Sequence, residues 1–336
     1  MNMKTIESVP VIDASRMTSP ATLRAIEQAC REWGFFQVVR HGIEGDLIDA
    51  LQREMRGFFA MPREAKREVE RSEENPWGFY DRELTKNVRD RKEIFDCGPD
   101  EKPKLRTPWP MDAPGFRRTL LAYKSRCERL GFDLLSAISM NLGMPACHLR
   151  QLFRPAHTSF LRLNYYPTRP APVGLEGRAT AERQPFGVHH HTDAGALTLL
   201  LQDDVPGLEV HHGGRWHGVD PKRDALVVNI GDIVQVWSND RYRAALHRVR
   251  ASTGQARYSA PFFLNPAHDA YYAPLPTTVD RRSPARYRPI AWGEFRRRRA
   301  AGDYADRGVE VQIDHYRTID TGASASPAKE TAHGLH

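Results

Sequence analysis

The chain has 336 residues, of which 40% are hydrophobic, so it is long enough to bury a sizeable core in one large domain or two modest ones. Its formal net charge is +7, but the basic residues are spread along the chain, which gives little support to nucleic-acid binding. No apolar run approaches the length of a membrane span, the first residues lack a signal core, and the four cysteines form no Cys-x-x-Cys pair. We therefore expect a cytoplasmic protein with buried free thiols and with neither nucleic acids nor membranes as partners.

The amino-terminal part of the chain, residues 1–157, is predicted to be mainly helical. Ser19 and Pro20 are typical of a helix N-cap and first helical position, and apolar residues then recur at helical spacing up to Gly34. Residues 63–106 are charged and are predicted to be irregular. The other elements expected here are strands over 9–13 and 35–39 and helices over 46–59 and 115–142.

From residue 158 onward the pattern favours β-strands. Short apolar and β-branched runs are separated by turn-forming residues at intervals of roughly 8–12 positions, which is typical of a sandwich or jelly roll. Strands are predicted over 160–166, 196–202, 208–211, 216–219, 226–229, 233–237, 246–250 and 257–264. The predicted divisions are a jelly-roll core over 158–290 with a long loop at 168–186, a C-terminal helix over 291–320 and a disordered tail over 321–336. The four arginines at 296–299 are interpreted as a solvated helix face.

A strand-like stretch, residues 188–201, carries His191 and Asp193. Side chains two positions apart on a strand point to the same face, so this imidazole and this carboxylate can both point inward. A second imidazole from a distant strand would complete a facial triad that leaves three positions open and suits non-haem Fe(II). His247 is the candidate, 54 residues after Asp193 (247 − 193 = 54). His189 shares the face of His191 and is an alternative ligand.

Arg257 and Ser259 form a second pair of residues on one strand face. A guanidinium matches a carboxylate with two parallel hydrogen bonds, and a hydroxyl adds another donor. The pair therefore predicts a socket for the remote carboxylate of a small diacid. Arg162, Asn164 and Tyr166 alternate along another predicted strand and are candidates for lining the same cavity.

These motifs together resemble the 2-oxoglutarate- and Fe(II)-dependent dioxygenases of the isopenicillin N synthase-like superfamily. The resemblance extends from Val9 to about Tyr316 and keeps the motifs in the family's order. In the amino-terminal part it rests on Pro10-Val-Ile-Asp13 and Trp33-Gly-Phe-Phe-Gln-Val-Val-Arg-His-Gly42. In the remainder it rests on Asn164-Tyr-Tyr-Pro167, His191-Thr-Asp193, Pro206-Gly-Leu208, Gly231-Asp232, Ser238-Asn239, His247-Arg-Val249 and Arg257-Tyr-Ser259.

The resemblance implies a mixed α/β (α+β) fold in which helices frame a double-stranded β-helix, or jelly roll. The implied site residues are His191, Asp193 and His247 for Fe(II) and Arg257, Ser259, Asn164 and Tyr166 for 2-oxoglutarate. The implied reaction uses dioxygen to hydroxylate or desaturate a small organic molecule, with release of succinate and carbon dioxide. The alternatives are an iron-dependent oxidase that uses no 2-oxoglutarate and a non-catalytic jelly-roll binding or sensor protein.

Arg162 bears on the charge of the substrate. A guanidinium that points into a barrel needs a counter-charge, because a buried unpaired charge is costly. Asp193 is assigned to the metal, the distal carboxylate of 2-oxoglutarate is assigned to Arg257, and the residue spacing places no other acid in the cavity. We therefore predict that Arg162 contacts an anionic group on the substrate, with a structural acid as the alternative.

Overall fold

The computed structural model describes residues 8–85, 88–99, 105–168, 186–250, 254–303 and 311–318. The predicted tail at 321–336 and most of the predicted loop at 168–186 therefore lie outside the described residues. The helices in the described ranges are α1 Pro20–Glu32, α2 Gly45–Ala60, α3 Arg63–Arg67, α4 Pro114–Asn141, α5 Asp232–Trp237 and α6 Trp292–Asp303. The strands are β1 Val11–Asp13, β2 Phe35–Val39, β3 Gly78–Tyr80, β4 Leu84–Thr85, β5 Val88–Arg89, β6 Glu93–Cys97, β7 Phe160–Tyr166, β8 Phe186–His191, β9 Leu197–Gln202, β10 Leu208–His212, β11 Arg215–Gly218, β12 Ala225–Ile230, β13 His247–Arg250, β14 Arg257–Leu264, β15 Tyr271–Tyr272 and β16 Ile290–Ala291.

The larger sheet has eight strands in the order β1-β2-β12-β9-β14-β7-β6-β3. Its centre comes from the region predicted as a jelly roll, and both of its edges come from strands that precede α4. β2 pairs antiparallel with β12, and β6 pairs antiparallel with β7. The amino-terminal part is therefore not only helical, and residues 63–106 were wrongly predicted to be irregular, since they contain β3 to β6.

The smaller sheet has the order β11-β10-β13-β8 and faces the larger one. Apolar side chains from both sheets pack into a shared buried cluster. From the larger sheet it contains Phe35, Tyr166 and Val227, and from the smaller sheet Val188, Leu208, Val210 and Val249. A cavity between the two sheets is lined by residues of β7, β9, β12 and β14 on one side and of β8, β10 and β13 on the other. This arrangement places the predicted site inside the sandwich.

The helices cover the outer face of the larger sheet. α4 contacts β7, β9 and β14, and α1 and α2 pack on α4. The apolar stripe of α4 is buried along its whole length, at Phe116, Leu120, Tyr123, Cys127, Leu130, Leu134 and Ile138. Ser19 caps α1 as predicted, because its side chain accepts a hydrogen bond from the amide of Thr22. Gly34 follows α1 with φ +63°, a left-handed conformation that favours glycine and turns the chain into β2.

The stretch 188–201, predicted as one strand, is two strands in different sheets. β8 belongs to the smaller sheet and β9 to the larger one, so the residues between them carry the chain from one sheet to the other. Asp193 lies in this connection and not on a strand. The prediction failed because strand-forming residues flank the crossover on both sides, so the pattern reads as continuous. The crossover itself is made by Gly195 and its neighbours.

Residues 233–237, predicted as a strand, form the helix α5. Gly231 is its N-cap residue, and its carbonyl accepts hydrogen bonds from the amides of Val234 and Gln235. All six residues of α5 are buried. Tertiary burial therefore overrides the β-propensity of this valine- and isoleucine-containing segment.

In the described part of the chain, no helix is both long enough and apolar enough to cross a membrane. Cys30, Cys97 and Cys127 are buried free thiols as expected, whereas Cys147 is a free thiol at the surface.

Candidate functional site

His191, Asp193 and His247 lie together where β8 ends and β13 begins. His191 is the last residue of β8 and His247 the first of β13, and the antiparallel pairing places them opposite one another. Asp193 Oδ1 is 3.5 Å from His191 Nε2 and 3.6 Å from His247 Nε2. One ligand atom from each of the three residues lies within 4.8 Å of the others. The structure thus brings the predicted trio together, although Asp193 joins it from the crossover and not by strand alternation.

In each of the two imidazoles, the nitrogen that faces away from Asp193 is hydrogen-bonded to a backbone carbonyl oxygen. Nδ1 of His191 is 2.8 Å from the carbonyl oxygen of His189, and Nδ1 of His247 is 3.1 Å from that of Ala245. A carbonyl oxygen can only accept, so each Nδ1 must carry the ring hydrogen. Each Nε2 then presents its lone pair to the cluster, which is the tautomer that a metal ligand requires.

The two oxygens of the Asp193 carboxylate have different partners. Oδ2 accepts hydrogen bonds from the hydroxyl of Thr198 and from Asn229 Nδ2, the latter at 2.8 Å. Oδ1 is the oxygen that faces the two imidazoles. Thr198 and Asn229 were missed from the sequence, although each is a polar residue flanked on both sides by apolar residues of its strand, a pattern that signals a buried partner.

The local charges fix the protonation states of the cluster. Burial alone would raise the pKa of Asp193, but the imidazoles of His247 and His191 and the hydrogen bond from Asn229 hold it far below its usual range. Burial, with the neighbouring His191, lowers the pKa of His247 to about 4. At neutral pH the carboxylate is therefore ionised and the His247 imidazole is neutral, as metal coordination demands.

The crossover that carries Asp193 is held by the segment that begins α5. The carbonyl oxygen of Asp193 accepts a hydrogen bond from the amide of Asp232 at 2.8 Å. A side chain at Gly231 would collide with the carbonyl oxygens of Gly195 and Asp193, so this close approach needs glycine. From the C-terminal helix α6, Arg299 donates to the carbonyl oxygen of Thr192 and to Asp232 Oδ2, each at 2.9 Å. Elements far apart in sequence thus position Asp193.

Replacing Thr198 with valine is expected to weaken Fe(II) binding roughly 10- to 100-fold, the usual cost of losing a residue that orients a metal ligand. The substitution keeps the side-chain shape but removes the hydroxyl that donates to Asp193 Oδ2. The dissociation constant for Fe(II), measured by anaerobic titration with circular dichroism as a check on folding, tests this. An unchanged constant would show that Asn229 alone orients the carboxylate.

A second group of polar residues lies on the adjacent strands β14 and β7. In their antiparallel pairing Arg257 is opposite Tyr166 and Ser259 is opposite Asn164. Arg257 is fully buried, and its Nη2 donates to Gln202 Oε1 at 2.9 Å while its guanidinium lies 5.1 Å from the centre of the Tyr166 ring. Asn164 Nδ2 donates to the Ser259 hydroxyl at 3.3 Å. The four predicted residues are therefore neighbours, and Gln202 is a fifth that the sequence did not indicate.

Both groups line one cavity of about 440 Å³, a size typical of small-molecule sites. The buried polar atoms of its lining include Arg257 Nη1 and Asn164 Oδ1, which have no hydrogen-bond partner among the described residues. An unsatisfied buried guanidinium nitrogen fits a bound carboxylate, which would accept its hydrogen bond. The two imidazoles and one carboxylate of the other group fit Fe(II). The residues present thus suit both the metal and 2-oxoglutarate.

Arg162 lines the cavity but already has protein counter-charges. Its Nε and Nη2 form a two-pronged contact with the Asp96 carboxylate at 2.7 and 2.8 Å, and its Nη1 donates to Glu83 Oε2 at 2.8 Å. Burial would raise the pKa of Glu83, but the charges of Arg162, Lys92 and Arg71 lower it to about 2. The prediction that Arg162 has no carboxylate partner in the protein is therefore wrong. Because Asp96 and Glu83 already balance its charge, there is no longer a reason to place an anionic group of the substrate at this residue.

His189, the alternative ligand, lies apart from the cluster. Its Nδ1 is 3.6 Å from Asp90 Oδ1, and Asp90 also pairs with Lys92. In the described ranges only the trio of His191, Asp193 and His247 meets the geometry of a three-residue metal site.

Two family models and many known proteins match large parts of the chain. The family model of the 2OG-Fe(II) oxygenase superfamily matches residues 157–266, and the model of the amino-terminal region of a non-haem dioxygenase in morphine synthesis matches residues 9–115. Jasmonate-induced oxygenase 1 of Arabidopsis thaliana is 33% identical over 298 residues, which cover 86% of this chain and 72% of that protein.

Two solved structures show the same fold. The crystal structure of JOX2 in complex with 2OG, Fe and JA matches with a TM-score of 0.79 at 30% identity, covering 93% of this chain and 90% of the other. The crystal structure of a full-length Neurospora crassa protein in complex with alpha-KG and thymine matches with a TM-score of 0.78 at 26% identity, covering 89% and 98%. The predicted α+β fold with a jelly-roll core is confirmed.

The chain belongs to the 2OG-Fe(II) oxygenase superfamily. It is an enzyme of the 2-oxoglutarate-dependent dioxygenase class, which uses Fe(II), 2-oxoglutarate and dioxygen to oxidise a small organic molecule. The alternative of a non-catalytic binding protein is thereby set aside.

Proposed function

We propose that His191, Asp193 and His247 hold the Fe(II) of this enzyme. The observation that supports this proposal is the convergence of three donor atoms, Nε2 of each histidine and Oδ1 of Asp193, while every other donor or acceptor atom of these groups contacts the protein. The iron, when bound, supplies the activation of dioxygen for attack on a C–H bond. The chain's own contribution is to keep the carboxylate ionised and both imidazoles in one tautomer.

Arg257 and Ser259 are proposed to hold the distal carboxylate of 2-oxoglutarate, with Asn164 and Tyr166 beside them. The support is a fully buried guanidinium whose Nη1 has no partner in the described part of the chain, while Gln202 accepts a hydrogen bond from its Nη2. The Ser259 hydroxyl is free to donate to the ligand, because it accepts from Asn164. This socket favours a 2-oxoglutarate-dependent reaction over the alternative oxidase that uses none.

The remaining cavity wall is proposed to bind a small organic substrate for hydroxylation or desaturation. It includes the aromatic residues Trp77, Phe160 and Phe263 and the ion-paired Arg162. Similar proteins hold JA in the JOX2 structure and thymine in the Neurospora crassa structure, which supports a small-molecule substrate here. The four free cysteines support a reducing, cytoplasmic location for the reaction.

The proposed reaction is tested by supplying the anaerobically purified chain with Fe(II) and 2-oxoglutarate and then admitting dioxygen. Succinate should form slowly without substrate and faster when a metabolite mixture contains the substrate. Oxidation of a metabolite without stoichiometric succinate would instead identify an oxidase that does not use 2-oxoglutarate.

A further inference from the structure

One face of the C-terminal helix α6 forms part of the cavity wall. Four of its residues line the cavity: Trp292, Arg296, Arg299 and Ala300. They share one helical face, because residues three, four, seven or eight positions apart lie on the same side of a helix. In the arginine run at 296–299, by contrast, Arg297 and Arg298 are exposed. The interpretation of this run as a solvated face is therefore wrong for two of its four members.

The other cations of the substrate-facing wall have carboxylate partners. Arg162 pairs with Asp96 and Glu83, and Lys92 pairs with Glu83 and Asp90. Arg71 Nη1 is 3.7 Å from Glu83 Oε1, and Arg299 Nη1 is 2.9 Å from Asp232 Oδ2. Each of these guanidinium and ammonium groups is thus neutralised by the protein.

Arg296 differs from these residues. Its side chain is half-buried and makes neither an ion pair nor a hydrogen bond with any described residue. Burial lowers its pKa, and only the charge of Asp96 opposes that shift. A cation that loses hydration without gaining a carboxylate is unfavourable unless a ligand supplies the negative charge.

Among the described residues, the charges around the cavity leave an excess of one positive charge. The described lining residues and their direct ion-pair partners include six cations, Arg71, Lys92, Arg162, Arg257, Arg296 and Arg299, against five carboxylates, Glu83, Asp90, Asp96, Asp193 and Asp232. Fe(II) and doubly ionised 2-oxoglutarate cancel each other and leave this excess unchanged. A substrate with a single negative charge would neutralise the cavity.

An aromatic surface adjoins the unpaired guanidinium. The Arg296 guanidinium lies 5.9 Å from the centre of the Phe160 ring, which stacks on Phe263 at 4.7 Å and lies 5.6 Å from Trp77. A ligand bound through Arg296 would therefore lay its body on aromatic rings. Of the common singly charged groups, a carboxylate is ionised at neutral pH and matches the guanidinium fork, whereas a phenol is mostly neutral.

We propose that the substrate is a small monocarboxylic acid with a cyclic apolar body, bound through its carboxylate by Arg296 and through its ring by Phe160 and Trp77. This inference rests on the proposed function of the cavity. Arg299 places the anchor near the metal ligands, because it contacts Thr192, the neighbour of Asp193, and Arg296 lies three residues away on the same helix, a rise of about 4.5 Å.

Binding of matched acids and amides to the full chain tests the proposal. The probes are phenylacetate, 3-phenylpropanoate and cyclohexylacetate, each compared with its uncharged primary amide by anaerobic calorimetry in the presence of Fe(II) and 2-oxoglutarate. At least one acid should bind about tenfold or more tightly than its amide, as expected for a charged hydrogen-bonded contact. Arg296→Gln should remove this preference by weakening acid binding while leaving amide binding unchanged.

Arg297→Gln is the matched control, because it makes the same change at the next, exposed residue of α6. It should keep the preference for the acid. The proposal is overturned if no acid of the set is preferred over its amide in the unmodified enzyme, or if Arg296→Gln retains the preference. Wild-type enzyme that binds Fe(II) and 2-oxoglutarate without preferring any acid contradicts this inference alone, whereas failure to bind the metal and 2-oxoglutarate contradicts the proposed function as well.

Discussion

Replacing Asp193 with alanine is expected to abolish both Fe(II) binding and turnover. Asp193 is the only anionic member of the trio, and its Oδ1 lies within 3.6 Å of both histidine Nε2 atoms. Its loss also leaves two imidazoles that face each other without the carboxylate between them. His191→Ala and His247→Ala should each abolish turnover for the same reason. Anaerobic Fe(II) titration and succinate release measure the two effects separately.

The neighbouring histidines of β8 provide controls for this prediction. His190 is exposed, so His190→Ala should bind Fe(II) as the unmodified chain does. His189→Ala should also keep the metal, because its imidazole lies near Asp90 and outside the trio. Normal turnover by His191→Ala together with loss of turnover by His189→Ala would show that the ligand is two residues away from the proposed one.

Replacing Arg257 with alanine is expected to raise the 2-oxoglutarate concentration needed for turnover by roughly 30-fold or more. Removing one partner of a buried charge pair typically costs about 2–5 kcal/mol, and each 1.4 kcal/mol is a factor of ten. The guanidinium is fully buried and is held by Gln202, so no solvent-exposed cation can take its place without rearrangement. Succinate formation as a function of 2-oxoglutarate concentration gives the measurement.

Arg223→Ala serves as the control for Arg257, because the Arg223 side chain is 92% exposed and should leave the requirement unchanged. Arg257→Lys retains a positive charge but not the two-pronged geometry, so an intermediate requirement is expected. Fe(II) affinity should be retained in both Arg257 variants, which separates a local loss from unfolding. An unchanged 2-oxoglutarate requirement in Arg257→Ala would mean that another residue anchors the co-substrate.

The candidate trio was predictable because its residue types are chemically distinctive and two of its members are closely spaced. His191 and Asp193 are two positions apart, and His247 lies at a strand boundary that local pattern also indicates. The geometry that joins them was not predictable, because the chain crosses between sheets at Asp193 through contacts with Asp232 and Arg299. Those contacts span tens of residues and leave no trace in a local pattern.

The ion pairs of the cavity wall could not be predicted from the sequence. Arg162 meets Asp96 and Glu83, which precede it by 66 and 79 residues in a segment without a regular hydrophobic period. Sequence alone also gives equal weight to each arginine of the run at 296–299. Only the placement of α6 distinguishes Arg296 inside the cavity from Arg297 in solvent.

The larger sheet combines strands from widely separated parts of the chain, and this determines when the protein can fold during synthesis. β2 ends at Val39, but its antiparallel neighbour β12 begins at Ala225, 186 residues later (225 − 39 = 186). At about 5–20 residues per second, a ribosome needs roughly ten to forty seconds to supply that neighbour. During this interval the nascent chain carries an apolar strand with an unpaired edge, the kind of surface that pairs with other chains. The larger sheet therefore cannot assemble around β2 until β12 has been synthesised, and chaperone capacity should limit the yield of active chain.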